Sequence, residues 1–412
     1  FCNRLVVQFA CFLAFGTCVL PGGAIDAAAQ TSSEADRDWK IILLEAKKFL
    51  TASTVDPVQQ IAAREVRTRR YRNLGLVFYR KFPRDPRRLE WLEQTLKAPP
   101  RYWQDIGVGA ASYASNGYFC GPVNTAARME WEQVYQNELR PALFSSPEVG
   151  EQSKAQFLLL ELREKGDKTI EHLSCGRAAD TAGFLSALLS YAAHSASGEG
   201  WSRLYGGQLF ELLEREEADT ETQIAAIREL KKSPSESLRL LADGRERILK
   251  MQVSPVDFKF MVGDGEEIDM SALRGKVVLI DGWSNWCSSC IEALPRIKRV
   301  RDRYRDAGFE VVGITFAGVG YIKDSKADES KILRAIAESG ADWPTTMLKD
   351  AAARQFLDDY GITGFPFTWV VGRDGKLLST RPLHGDLMES EIRRHLGLPP
   401  LDGAQATAGT KH

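Results

Sequence analysis

The chain has 412 residues, 44% hydrophobic and 26% charged, with a formal net charge of -1. That length favours two domains over one, each able to bury its own core, and the composition is that of an ordinary globular protein. The near-neutral balance gives no reason to expect nucleic acid or a strongly charged membrane surface as partner.

Residues 1–29 read as an export signal. Asn3-Arg4 is a short basic start, Leu5 to Leu20 is largely apolar, and Ala27-Ala28-Ala29 offers a small-residue cleavage site. The apolar core is short for a spanning helix, which needs ~20 residues. Export to a periplasm is therefore expected, with membrane tethering through an uncleaved signal or a lipidated Cys18 as the alternative. Seven cysteines are present, and Cys2, Cys11 and Cys18 fall in this segment. The remaining Cys120, Cys175, Cys287 and Cys290 are an even set, compatible with disulfides in an oxidising compartment.

Residues 30–253 are expected to form an all-α domain. Trp39, Ile42, Leu43, Ala46, Phe49 and Leu50 make one apolar stripe. Asp56-Pro57 and Asp85-Pro86 each supply an N-cap followed by a first-turn proline. Pro99-Pro100 stops the run, and residues 99–126 show no sustained period. Helical patterns resume at 127–140, 151–164, 178–194, 203–216, 220–231 and 235–251, an arrangement suited to an antiparallel helical array. Nothing in it forms a catalytic constellation, so its expected role is docking or spacing toward an unknown partner. Cys120 and Cys175 are either a structural disulfide of this domain or two buried thiols.

The period changes at Ser254-Pro255. Val256, Phe258 and Phe260 alternate, then Ile268 and Met270, with Gly263-Asp264-Gly265 as the turn of an opening hairpin. Strands follow at 277–282 and 309–316, with a helix between them from the cysteine pair to about Asp306, making a parallel βαβ unit. Next come a helix at 327–339 closed by Gly340, a short strand within 343–348, and a helix at 351–360 stopped by Gly361. Strands at 367–371 and 376–381 flank the hairpin turn Gly372-Arg373-Asp374-Gly375. A last helix spans 388–396, and 401–412 is expected to be a disordered tail.

The chemistry concentrates at one stretch. The apolar run Val277 to Ile280 ends in Asp281, and after a short turn Cys287 and Cys290 stand two residues apart. Ile291, Leu294, Ile297, Val300 and Tyr304 then recur at helical spacing. A strand thus delivers a Cys-x-x-Cys pair to the first turn of a helix, where free N–H groups and the dipole stabilise a thiolate on the first cysteine. A zinc site needs a second ligand pair, which neither Cys120 and Cys175 nor the five histidines supply by spacing. No metal and no further cofactor are expected. A redox dithiol is the favoured reading, with Cys287 as exposed nucleophile and Cys290 as the resolving thiol.

Trp286-Cys287-x-x-Cys290, Pro295 in the following helix, and Gly361-Ile362-Thr363-Gly364-Phe365-Pro366 before a strand together resemble the thioredoxin superfamily. More narrowly they resemble its TlpA/ResA-like thiol-disulfide oxidoreductases, over about residues 254–398. The resemblance implies an α/β thioredoxin fold over 254–400, a mixed central sheet flanked by helices, C-terminal to the helical domain. It places an acid, here Asp281, beneath the second cysteine as a proton shuttle, and a cis-proline loop, here Phe365–Pro366, opposite the dithiol. Phe365 and Pro366, with Trp286, are then the expected contacts for an extended protein disulfide or dithiol substrate. The 317–348 stretch corresponds to the family's central insertion, and a membrane-embedded dithiol relay is the implied redox partner. One departure matters: the family commonly carries Glu three residues after the second cysteine, where this chain has Ala293, with Glu292 one place earlier. Ser288-Ser289 between the cysteines should favour the Cys287 thiolate and make the disulfide more oxidising than in thioredoxin. Two rivals stand beside the oxidoreductase: a partner-binding module with a vestigial redox site, and a peroxiredoxin-like peroxidase.

Overall fold

The computed structural model describes residues 34–47, 57–97, 120, 123–175, 177–195, 198–215, 218–262, 267–319, 324–380 and 386–401. The expected export signal, Cys18 and the tail beyond 401 lie outside the described residues, as do most of 99–126 and the turn at 263–265. The chain divides into two compact units, residues 1–195 and 196–412.

The regular elements of the first unit, among its described residues, are all helices. Helices α1 (Glu34–Lys47), α2 (Pro57–Lys81) and α3 (Arg87–Lys97) precede α4 (Thr125–Val134), which passes through a π-helical turn at Tyr135–Leu139 into α5 (Arg140–Ser145). Two longer helices, α6 (Glu151–Ser174) and α7 (Thr181–His194), complete it. Its core is rich in rings: Trp39 meets Phe78 at 5.3 Å, and Tyr79 meets Trp91 at 5.9 Å between centroids. Of the expected stripe Trp39 and Ile42 are buried, Leu43 is exposed, and Phe49 and Leu50 lie outside the described residues. Helix α6 runs a further ten residues beyond the expected 164 because Gly166 and Thr169 are buried on its packed face. Burial there offsets the roughly 1 kcal/mol that glycine costs inside a helix. Cys120 and Cys175 are joined as a disulfide across a sequence separation of 55. Closing a loop of that length removes about 4 kcal/mol of chain entropy from the unfolded state.

The second unit opens with three more helices, α8 (Glu199–Arg215), α9 (Thr220–Lys231) and α10 (Glu236–Val253). A hairpin of β1 (Lys259–Met261) and β2 (Glu267–Asp269) leads to the central elements. These are β3 (Val277–Trp283), α11 (Ser288–Tyr304), β4 (Phe309–Ala317), α12 (Ser325–Ser339), β5 (Thr345–Lys349) and α13 (Asp350–Asp359). The last are β6 (Phe367–Val371), β7 (Leu377–Ser379) and α14 (Asp386–Leu396). The five-stranded sheet has the order β5-β4-β3-β6-β7. Strands β3, β4 and β5 are parallel, while β6 runs antiparallel to β3 and β7 antiparallel to β6. This is the mixed sheet of a thioredoxin fold, with the βαβ unit expected over 277–316 at its centre.

Two apolar layers sandwich the sheet. On one face Leu294, Ile297 and Val300 of α11, Ile332 of α12 and Ile392 of α14 pack on Val277, Leu279 and Trp283 of β3. On the other, Ala353 of α13 and Ile248 of α10 pack on Val278 and Ile280. Strand alternation accounts for the split, since successive β3 side chains point to opposite faces. Ile248 carries this packed unit across the expected domain boundary at 253/254. Helix α10 supplies part of the lower layer, and Glu214 of α8 accepts hydrogen bonds from both Arg245 of α10 and Thr380 after β7. The three helices from 199 to 253 therefore belong with the sheet. The change of period at Ser254 marks a change of secondary structure inside one packed body.

Candidate active site

Strand β3 is buried along its whole length and hydrogen-bonded on both sides, so its C-terminal end is a rigid platform. Three successive residues beyond it are each tied to β4 or to the segment that follows it. The Ser284 hydroxyl donates to the Phe316 carbonyl at 2.8 Å, the Asn285 amide to Asp328 Oδ1 at 3.0 Å, and Trp286 Nε1 to the Val319 carbonyl at 3.1 Å. The Cys287 N–H then donates to the Ser284 carbonyl at 3.0 Å, closing a turn that sets Cys287 as the N-cap of α11.

Cys287 and Cys290 are joined as a disulfide, with Cα atoms 5.2 Å apart. The N–H groups of Cys290 and Ile291 donate to the Cys287 carbonyl at 3.1 and 3.2 Å. The Ser289 hydroxyl stands 3.5 Å from Cys287 Sγ, in the first turn, where helix N–H groups and the dipole favour negative charge. Cys287 is 7% exposed and Cys290 3%. Cys287 is the more open of the two, yet the freely exposed nucleophile expected from sequence is not what the disulfide form presents. Both sulfurs sit in the apolar cluster against which Phe365 packs.

Asp281 lies on β3 with the parity of Leu279 and Trp283, and so faces the layer that holds the cysteines. It is 4% exposed, and its Oδ2 has no hydrogen-bond partner among the described residues. Burial pushes its carboxyl up to about 7 from the ordinary 3.8. Glu292, one place before Ala293, lies on an exposed position of α11.

The Phe365–Pro366 peptide is cis and lies immediately before β6, whose Phe367 pairs with Gly282 of β3. Trp286, 39% exposed, meets the Phe365 ring edge-on with centroids 5.4 Å apart, and Phe365 is backed by Phe316 at 5.0 Å. Trp286, Phe365 and the dithiol are thus brought together, while Trp283 is buried in the layer beneath.

Residues 253–379 match the model of the AhpC/TSA family. This region is a thioredoxin-like domain. The thiol-disulfide oxidoreductase ResA of Bacillus subtilis is 25% identical to this chain over 155 residues, 38% of this chain and 78% of that protein. The thioredoxin-like protein YneN of the same organism is 25% identical over 143 residues, 34% of this chain and 76% of that one. Among solved structures, the thioredoxin domain of a thiol-disulfide oxidoreductase from Bacteroides vulgatus is 23% identical. It covers 34% of this chain and 94% of its own, with a TM-score of 0.30.

One residue of the thioredoxin-like domain escaped the sequence reading. Asp328, fully buried at the start of α12, accepts from Asn285 through Oδ1 and from the Gly318 N–H through Oδ2 at 3.1 Å. It therefore links the turn before Cys287 to the loop after β4. In sequence it resembles helix-start acid beside Asp324, which does cap α12. The available signal was its spacing of four from Ile332, which puts a carboxylate on the buried stripe of the helix.

Proposed function

We propose that this protein is an exported thiol-disulfide oxidoreductase that exchanges disulfides with protein substrates through Cys287 and Cys290. What carries the reading is one juxtaposition: a closely spaced cysteine pair at a helix start, over a buried carboxyl that faces the same layer. In the reducing direction the Cys287 thiolate attacks one sulfur of a substrate disulfide. A mixed disulfide forms and the first substrate thiolate leaves. Cys290 then gives its proton to the Asp281 carboxylate and attacks Cys287 Sγ, releasing the second substrate thiolate. Two electrons pass to the substrate, and the 287–290 disulfide is left behind. The oxidising direction runs through the same steps in reverse. Either way the dithiol is reset by another redox protein, for which a membrane-embedded dithiol relay is the proposed class.

Trp286, Phe365 and Pro366 form the proposed docking edge, where an extended substrate segment adds to the backbone at Phe365. The test uses the full chain with insulin as probe and dithiothreitol as reductant. Wild type should accelerate insulin reduction, and Cys290→Ser should stall as a Cys287-linked mixed disulfide. Insulin reduction no faster than with dithiothreitol alone would leave the binding module as the better reading. Hydrogen peroxide consumption that survives in Cys290→Ser would point to the peroxidase.

A further inference from the structure

The loop that carries Phe365–Pro366 is held from outside the thioredoxin-like domain. Arg203 of α8 donates through Nη2 to the carbonyl of Ile362 at 3.0 Å and toward that of Leu357 at 3.4 Å, while its Nη1 pairs with Asp358 at 2.7 Å. One turn along α8, Gly207 lies against Thr363, so closely that a Cβ there would stand 2.3 Å from Thr363 Oγ1. From α10, Gly244 abuts the backbone of Gly361, where a Cβ would lie 2.1 Å from the peptide nitrogen. Arg247 of α10 donates to the Asp359 carbonyl at 2.6 Å and to its carboxylate at 2.8 Å. The segment from 357 to 363 is therefore gripped by two helices through carbonyl groups and two side-chain-free contacts. All four gripping residues precede residue 253, where the family match begins.

Beyond the grip, Thr363 and Gly364 are exposed, then comes the cis peptide, then β6 anchors the chain in the sheet. The docking edge thus hangs between two fixed ends, one in the sheet and one on α8 and α10. A guanidinium that bonds peptide carbonyls at the second end fixes the path of the backbone and leaves the cysteine pair untouched. We infer that Arg203, with Gly207 and Gly244 as the close-approach points, is a positioning residue for substrate docking. It sets how well a disulfide carried on a polypeptide is held, without setting the reactivity of the dithiol. This rests on the reading that the Phe365 edge receives the substrate.

The experiment compares insulin with 2-hydroxyethyl disulfide, which is too small to pair along the loop, on full-length wild type, Arg203→Met, Arg203→Lys and Gly207→Ala. In Arg203→Met the ratio of kcat/KM for insulin to that for the small disulfide should fall about tenfold, the size of one charge-assisted hydrogen bond. The loss should appear in KM rather than kcat, and the pH dependence of Cys287 alkylation should stay that of wild type. Arg203→Lys, which keeps a charge and a donor, should recover part of the ratio. Gly207→Ala, which displaces only the Thr363 end of the grip, should lower it in the same sense. An unchanged ratio in Arg203→Met and Gly207→Ala overturns the inference, and so does an equal loss on both disulfides. Should Arg203→Met fail to fold, the ratios in Arg203→Lys and Gly207→Ala decide in the same way. Failure of the oxidoreductase reading looks different: wild type itself would turn over neither disulfide.

Discussion

Burial alone pushes the Asp281 carboxyl up to about 7, and in the proposed mechanism its charge state sets the resolving step as well as bearing on stability. As a base it must be ionised, so resolution of the mixed disulfide should quicken as pH rises through about 7 and level off above it. In Asp281→Asn that inflection should vanish, with a rate roughly 10²-fold lower on the alkaline side, measured by rapid mixing with a fluorescent peptide disulfide. Stability moves the other way. Below pH 3.8 the group is protonated in both folded and unfolded chains, and its contribution is fully present. As pH climbs toward about 7 the unfolded chain ionises first, and stability falls by up to about 4 kcal/mol. Asp281→Asn should therefore resist denaturant better than wild type above pH 7, with the gap closing in acid; a gap independent of pH would contradict the burial. At Asp328 the expected effect is plainly destabilising. Removing its carboxylate in Asp328→Ala strands the Asn285 amide and the Gly318 N–H, which should cost on the order of 3 kcal/mol in denaturant unfolding.

Helix α11 shows how an element tunes the residue at its tip. Its first turn offers Cys287 the helix dipole and, 3.5 Å away, the Ser289 hydroxyl. Both stabilise the reduced, ionised form, so the disulfide should be more oxidising than that of thioredoxin, at a potential less negative than about -270 mV. Ser289→Ala should raise the Cys287 thiol pKa and shift the potential to more negative values, read by alkylation against pH and by glutathione equilibration. No shift in either would assign the stabilisation to the backbone alone. At this scale the sequence was largely readable. The glycine stops at 340 and 361 both adopt positive φ, as does Gly308 after α11, a local preference that needs no distant partner. The pattern read over 151–164 fell short, because packing of Gly166 and Thr169 carries α6 on to Ser174.

In the whole molecule, the sheet depends on helices that its own sequence pattern does not announce. A fragment of 254–401 would lack Ile248 in the lower layer, the Arg245–Glu214–Thr380 link and the Arg203 grip. It should melt on the order of 10 °C below a 196–401 fragment in calorimetry. Equal melting temperatures would return the boundary to Ser254. The first unit has its own aromatic core and its own disulfide.

Adjacent residues alone determined the strand that carries Asp281, the cysteine pair at the start of a helix, and the Gly-Phe-Pro approach to β6. Each is a preference of backbone or period that acts over a few positions. Only the tertiary structure decided that Asp281 is dry, that Asn285 leans on Asp328, and that Arg203 holds a loop some 150 residues further along the chain. Burial and hydrogen-bond partnership belong to pairs of segments brought together by folding. No local stretch of sequence carries them.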